Sequence, residues 1–216
     1  MKQFAVSASV RLTEQPVWLA AFRAKYNQRY DFHVTLKQPC SITEAEVPEV
    51  RRRFDLFFGV IPDRNSDDSS EAQDPESRKH GSRIKPGMTN KNQPFIKSIS
   101  VDFNELVIDG PTDDDACIMF NVADNPTLID LQREVVDIFG EFRDYRKPEL
   151  EGYERNFRPH LTLIHNLEPV EFARARAEVQ ADYRCQGVIE EIVLAIVPDA
   201  AAEATLNPRN LTVAKL

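Results

Sequence analysis

A chain of 216 residues with 42% hydrophobic side chains can bury the core of one large domain or of two tightly joined lobes. Its net charge of -8 argues against a protein that holds long nucleic acid through phosphate neutralisation. The three cysteines lie far apart without CxxC spacing, which argues against a disulfide framework or a zinc ribbon.

The first predicted elements are a strand, a helix, a second strand and a second helix. Apolar and small residues alternate over residues 3–11, which is typical of a half-buried strand. A helix with Pro16 in its first turn follows and carries three aromatic residues at helical spacing, Trp18, Phe22 and Tyr26. After the strand that contains His33, Thr43 and Glu46 resemble a capping box, and the nearby Pro48 favours a later helix start.

The composition changes at about residues 59–94 to Asp, Ser, Asn, Lys, Gly and Pro, with few apolar residues. Such a segment cannot bury enough apolar surface to fold against a core. We therefore predict a mobile surface insertion. His80 lies inside it and is interpreted as a solvated loop residue rather than a catalyst.

The second half repeats the order of the first. Strand patterns at 99–103, 106–108 and 116–122 precede a helix opened by Asn125 and Pro126. The remaining predicted elements are a strand that contains His160, a helix at about 171–182 and strands at 188–197 and 211–216. Helices mixed with antiparallel strands in two similar halves predict an α+β fold whose halves face each other.

One four-residue phrase occurs in both halves, HVTL at His33–Leu36 and HLTL at His160–Leu163. β-branched and aromatic flanking residues favour a strand for both copies. Because side chains alternate along a strand, the histidine and the threonine of each copy share one face, and apolar residues occupy the other. Each strand is therefore expected to present a polar pair and to bury an apolar row.

The two polar pairs are suited to phosphoryl chemistry if the two halves place them on opposite sides of one groove. Histidine titrates near neutral pH, so one imidazole can accept a proton from an attacking oxygen while the other protonates the departing oxygen. Threonine hydroxyls can donate hydrogen bonds to non-bridging phosphate oxygens. By the same alternation Lys37 and Arg158 share the motif faces, where they could hold phosphate or be ordinary charges at a strand end.

With two H-x-T-L phrases, the second preceded by Pro159, the chain resembles the 2H phosphoesterase superfamily and its LigT-like, or 2'-5' RNA ligase, branch. The resemblance implies one bilobal domain over residues 1–216, with two pseudo-symmetric antiparallel sheets, flanking helices and a central cleft. It also implies hydrolysis of 2',3'-cyclic phosphates on RNA ends or nucleotides to 2'-phosphates, without metal or cofactor.

The resemblance further implies roles for four residues. His33 and His160 would form the catalytic acid–base pair, with His33 as the acid and His160 as the base. Thr35 and Thr162 would bind the substrate phosphate. The same groups could also support 2'-5' RNA ligation, so the direction of the reaction stays open.

Two other functions remain possible from the residues. Two histidines on facing strands could ligate zinc if a carboxylate or cysteine joined them, but threonine is a poor partner and no HExxH spacing occurs. A non-catalytic module could use the same cleft to bind a nucleotide or an RNA end. By strand alternation His165 lies on the apolar face or at the strand end, and it is interpreted as structural.

The expected partner is an RNA 3' end or a small cyclic nucleotide, not a long nucleic-acid tract. The first sixteen residues lack the apolar run of a signal peptide, and no later run reaches the length of a membrane span. We expect a monomeric cytoplasmic protein with no membrane partner.

Overall fold

A computed structural model describes residues 1–59, 98–109, 117–180, 183–198 and 202–216. The predicted insertion at about 59–94 lies outside the described residues except for Gly59, and His80 lies outside them as well. Gly59 ends the second helix in the left-handed conformation that glycine adopts without strain.

The elements follow the order expected from the sequence, except that the strand patterns at 99–103 and 106–108 belong to one continuous strand and that one short helix is additional. The strands are β1 (Lys2–Leu12), β2 (His33–Ile42), β3 (Ile99–Asp109), β4 (Cys117–Val122), β5 (His160–Ile164), β6 (Cys185–Pro198) and β7 (Leu211–Lys215). The α-helices of the described residues are α1 (Val17–Lys25), α2 (Val47–Phe58), α3 (Pro126–Ile138), α4 (Glu149–Arg155) and α5 (Pro169–Glu178). Two short 3-10 helices, Ala202–Leu206 and Pro208–Asn210, precede β7.

Local capping signals explain several helix boundaries. The Asn125 side chain accepts a hydrogen bond from the Leu128 amide at 3.1 Å, so α3 begins where the sequence predicts. Thr43 donates to the Glu46 carboxylate through its amide and its hydroxyl, both at 2.8 Å, and α2 starts later, next to Pro48. The short helix α4 was not predicted, because seven residues are too few for a clear periodic pattern.

The α+β class is confirmed, and every strand pairing is antiparallel. The strands form one hydrogen-bonded sheet in the order β2-β1-β6-β3-β4-β5, with β7 also paired to β6. The two expected sheets are joined because β6 is 14 residues long. Residues 185–189 of β6 pair with β3, and residues 191–195 pair with β7.

The ends of this sheet approach each other. β2 and β5 are at opposite ends of the strand order, yet they contact each other. A flat sheet would hold its two outermost strands far apart, since neighbouring strands are about 4.8 Å from each other. The sheet is therefore strongly bent, and its bend brings together the two strands that carry the HxTL phrases.

Aromatic side chains pack the two halves against each other. Phe139 and Phe142, at and beyond the end of α3, pack against Phe4 of β1 with ring centroids 5.4 and 5.5 Å apart. Trp18 of α1 packs against Tyr183, whose ring lies 5.9 Å from Phe120 of β4. The buried apolar side chains form one cluster, so the described parts of the two halves share a core. None of the described helices is both long and apolar enough to cross a membrane.

Lys37 corrects a sequence prediction. Thr35 pairs with Ser7 and Lys37 pairs with Val6, so Leu36 is an extra residue that forms a β-bulge. The bulge breaks the alternation and turns Lys37 to the face of the buried Val6. Lys37 is therefore buried, and it is neither on the motif face nor an ordinary charge at a strand end.

The buried Lys37 ammonium is neutralised by Glu154 of α4. The two side chains expose only 1% and 3% of their surface, and Nζ lies 2.8 Å from Oε1. Tyr145 Oη donates to Oε1 at 2.7 Å, and the Gln38 amide donates to Oε2 at 3.0 Å. These bonds satisfy both carboxylate oxygens, as a buried ion pair requires.

Removing either partner of this pair alone should strongly destabilise the protein. We expect Lys37→Met or Glu154→Met to lower the free energy of unfolding by about 3–5 kcal/mol, because each leaves a buried charge unpaired. The double variant should lose less than the sum of the two. Urea denaturation measures the three values. As a control, Arg133→Met breaks the exposed pair with Asp130 and should cost less than about 1 kcal/mol. Single-variant losses as small as that control would contradict the prediction.

Candidate active site

The first motif lies at the start of β2. His33 pairs with Ser9 and Thr35 pairs with Ser7 of β1. The intervening Val34 is buried, whereas His33 is exposed and Thr35 is half-buried. The predicted alternation of a polar face and an apolar face is present here.

The second motif repeats the arrangement on β5. His160 pairs with Asn121 and Thr162 pairs with Met119 of β4. Leu161 and Leu163 are fully buried, and His160 and Thr162 are half-buried. Both motifs therefore direct a histidine and a threonine away from the apolar core.

The two motif histidines make the same hydrogen bond. Nδ1 of His33 lies 2.9 Å from the carbonyl oxygen of Asp31, and Nδ1 of His160 lies 2.9 Å from that of Arg158. A carbonyl oxygen only accepts, so Nδ1 donates and carries the hydrogen in each ring. In both rings Nε2 is left to exchange a proton with a bound molecule.

Electrostatics link the two imidazoles. Burial is the main cause that lowers the pKa of His33, and the charge of His160 lowers it further, while the Asp31 carbonyl opposes these effects. His33 nevertheless exposes part of its surface to solvent. The net effect lowers the pKa of His33 and favours its neutral form.

A third histidine lies close to the first motif. His165, which follows β5, has a pKa lowered by burial and then by the charge of His33. Its ring centroid is 5.5 Å from that of Tyr30. Strand parity and the position at the strand end favour a structural interpretation of His165. Neither pattern predicts that His165 lies near Tyr30 and the charge of His33.

Arg23 of α1 is a neighbouring cation that the sequence did not indicate. Its guanidinium lies 4.1 Å from the centre of the Phe32 ring and donates a hydrogen bond to the Tyr30 carbonyl. Its charge contributes to lowering the pKa of both His33 and His165. Arg23 precedes the first motif by ten residues and lies on a different element, so no local pattern connects the two.

Arg158, the other cation predicted to share a motif face, precedes the second motif. Arg158 is exposed, and its carbonyl holds the His160 ring. Within the described ranges, no three His, Cys, Asp or Glu side chains converge as a metal site would require.

The lowered pKa values predict how stability depends on pH. As the pH falls through the ordinary histidine range of about 6.5, the unfolded chain binds protons that His33 and His165, with their lowered pKa values, resist in the folded state. The free energy of unfolding should therefore decrease from pH 8 to 5.5, and His33→Gln should reduce this decrease. Urea denaturation across that range measures both proteins. Identical pH dependences would show that His33 is not desolvated.

Two solved structures of Usb1 from Kluyveromyces marxianus are similar in fold. One has a TM-score of 0.44 at 12% identity and covers 99% of this chain and 98% of its own. The other, with uridine monophosphate, has a TM-score of 0.43 at 10% identity and covers 98% of each chain.

A sequence family matches the chain. No curated protein matches the chain significantly. A sequence model described as the 2'-5' RNA ligase superfamily matches residues 83–198, which is more than half of the chain. The matched region contains His160 and Thr162, whereas His33 and Thr35 lie before it.

Proposed function

Because the chain belongs to the 2'-5' RNA ligase superfamily, we propose that it is a metal-independent phosphodiesterase that opens 2',3'-cyclic phosphates of RNA ends or nucleotides. The product is a 2'-phosphate with a free 3'-hydroxyl. The observation that carries the proposal is the matched orientation of His33 and His160, each with Nδ1 held by a carbonyl oxygen and Nε2 left unoccupied by that bond.

Two imidazoles are sufficient for the proton transfers of this reaction. One Nε2 accepts a proton from water as the water oxygen attacks phosphorus. The bond between phosphorus and the 3'-oxygen breaks, and the second imidazole donates its Nε2 proton to that oxygen. One water is consumed, and the two histidines end with exchanged protonation states that solvent resets.

The unequal surroundings of the two histidines support an assignment of roles. A general base must be neutral before the reaction, and the lowered pKa of His33 favours that form. We therefore assign the base role in hydrolysis to His33 and the acid role to His160. This assignment is the reverse of the one that the family resemblance implies.

The two threonines are proposed to bind the phosphate. Each lies two residues after a motif histidine on the same strand face and is half-buried. Their hydroxyls can donate to the non-bridging oxygens, whose charge increases as the attacking water adds to phosphorus. The apolar residues between histidine and threonine anchor each strand in the core and hold the two polar groups at a fixed spacing.

The two-histidine mechanism predicts a large effect of either substitution. We expect His33→Ala and His160→Ala each to lower kcat at least about a hundredfold on a 2',3'-cyclic substrate, because each removes one proton transfer. Purified wild-type protein should stay active in EDTA. The rate of 2'-phosphate formation measures activity, and circular dichroism checks that each variant folds.

The control for these variants is Arg133→Ala, which alters an exposed residue of α3 away from the motifs. Undiminished turnover in either histidine variant would refute the paired mechanism. Loss of turnover in EDTA would favour a metal site. Nucleotide affinity without turnover in the wild-type protein would favour the binding-only function.

The threonine hydroxyls should contribute mainly to kcat. Thr35→Val or Thr162→Val removes one hydrogen-bond donor and should lower kcat by about ten- to a hundredfold, somewhat less than removal of a fully enclosed oxyanion donor. Thr35→Ser and Thr162→Ser keep the hydroxyl and should retain most of the activity. Steady-state kinetics distinguish these cases. Equal losses in the valine and serine variants would show that packing of the methyl group, not the hydroxyl, matters.

A further inference from the structure

One side chain joins the segment before β2 to the residue after β5. Gln28 Nε2 donates to the His165 carbonyl at 3.2 Å, and Gln28 Oε1 accepts from the His165 amide at 3.4 Å. The side chain thus makes both hydrogen bonds that a residue of a neighbouring strand would make. In the described part of the sheet, β2 and β5 are at opposite ends of the order and are not paired with each other. These two bonds, which we term the Gln28 clamp, therefore join segments that the sheet itself leaves unconnected.

The end of α1 fixes the backbone on the Gln28 side of the clamp. The Asn27 amide donates to the Ala24 carbonyl at 3.2 Å, and the Gln28 amide donates to the Arg23 carbonyl at 2.9 Å. With Asn27 in the left-handed conformation at φ 55°, these bonds form a Schellman motif, which ends a helix in a defined direction. Gln28 Nε2 also donates to the Tyr26 carbonyl at 3.0 Å, so both hydrogens of the side-chain amide are used.

The backbone on the His165 side of the clamp is also constrained. Asn166, the next residue, has a φ of 54°, and Asn27 and Asn166 are the two non-glycine residues with positive φ in the described ranges. Asparagine tolerates this conformation better than most residues, but surrounding contacts must still impose it. The Tyr30 and His165 rings pack with their centroids 5.5 Å apart. The clamp is thus built between two fixed segments.

The clamp sets which residues of the two motif segments lie opposite each other. His33 lies five residues after Gln28, and His160 lies five residues before His165. The segments run in opposite directions, because the buried ion pair joins the far end of the first motif to α4, which precedes β5. Equal counts from the clamp place His33 opposite His160, and the charge of His160 indeed lowers the pKa of His33. A displacement by one residue would offset the imidazoles by about 3.3 Å.

We propose that Gln28 is a positioning residue of the two-histidine reaction and that its clamp on His165 fixes the separation of His33 and His160. The proposal rests on the proposed function and adds a residue that acts through the backbone of both motif strands. The two proton transfers need both Nε2 atoms at one phosphate, and a misplacement of about 1 Å can cost a large part of the rate. The buried ion pair holds one end of the paired segments, and the clamp holds the other.

Gln28→Met tests the clamp by kinetics, because methionine resembles glutamine in length and volume but makes neither hydrogen bond. We expect kcat on a 2',3'-cyclic substrate to fall about tenfold and KM to change less than about threefold, since displaced imidazoles impair proton transfer more than phosphate binding. Gln28→Ala should lower kcat by a similar factor. A loss in Gln28→Ala that Gln28→Met restores would show that packing rather than hydrogen bonding matters, which would overturn the proposal.

Proton NMR titration of the His33 ring supplies a readout that needs no substrate. His160→Gln removes a charge that lowers the pKa of His33, so it should raise that pKa. If the clamp fixes the separation, the imidazoles move apart in Gln28→Met. The rise caused by His160→Gln should then be smaller in the Gln28→Met background than in the wild-type background. A global loss of stability would not change this difference.

Other charged groups also act on His33 and must be held constant. They are Arg23 of α1, Asp31 at the entry to β2 and His165 after β5. All three are present in the four proteins of the cycle, so the difference isolates the pair of motif histidines. Asn210→Ala is the control, because it removes a half-buried side-chain amide that donates to a carbonyl at 2.8 Å in the segment before β7. It should leave kcat and the His33 titration unchanged.

The outcomes separate this proposal from the proposed function. Equal effects of His160→Gln in the two backgrounds, or a wild-type kcat in Gln28→Met, would overturn the positioning role. If the wild type hydrolyses no cyclic substrate, the proposed function fails, and the NMR cycle alone decides whether the clamp sets the separation of the imidazoles. If Gln28→Met does not fold, Gln28→Asn takes its place, since its amide is one methylene group too short to reach His165, and the same two results are required of it.

Discussion

The buried ion pair between Lys37 and Glu154 is the interaction on which the relative position of the two motifs depends. Lys37 lies four residues after His33, and Glu154 lies six residues before His160, so the pair joins the segments that carry both imidazoles. Each charge is removed from water and is stable there only with its partner and the Tyr145 and Gln38 donors. Any displacement of α4 relative to β2 would separate these groups, and a connection of only four residues joins α4 to β5.

The bent sheet places equivalent residues in unequal surroundings. His33 and His160 share the same hydrogen bond to a carbonyl two residues earlier, a consequence of two similar strand entries. His33 is also close to Arg23 and His165. The repeated HxTL phrase does not predict either of these neighbours. The two similar strand entries thus supply two imidazoles that interact electrostatically, while burial and the nearby cations lower the pKa of His33.

The charge of the whole protein and the charge beside the first motif have opposite signs. The net charge of -8 gives little long-range attraction for phosphate tracts. Arg23, partly desolvated and held over Phe32, lies near His33 and helps to lower the pKa of that imidazole. The effect of this cation is local, because solvent screens charges that lie farther apart.

The sequence by itself determined the α+β class, the order of most elements and the polar faces of the two HxTL strands. These features follow from local rules, since alternation along a strand and helix capping depend on neighbouring residues. Only the tertiary structure decided the burial of Lys37, because a bulge at Leu36 reverses the alternation there. It also decided the joining of the sheets by β6 and the presence of Arg23 and His165 beside His33. These depend on contacts between segments distant in the chain, which local patterns do not encode.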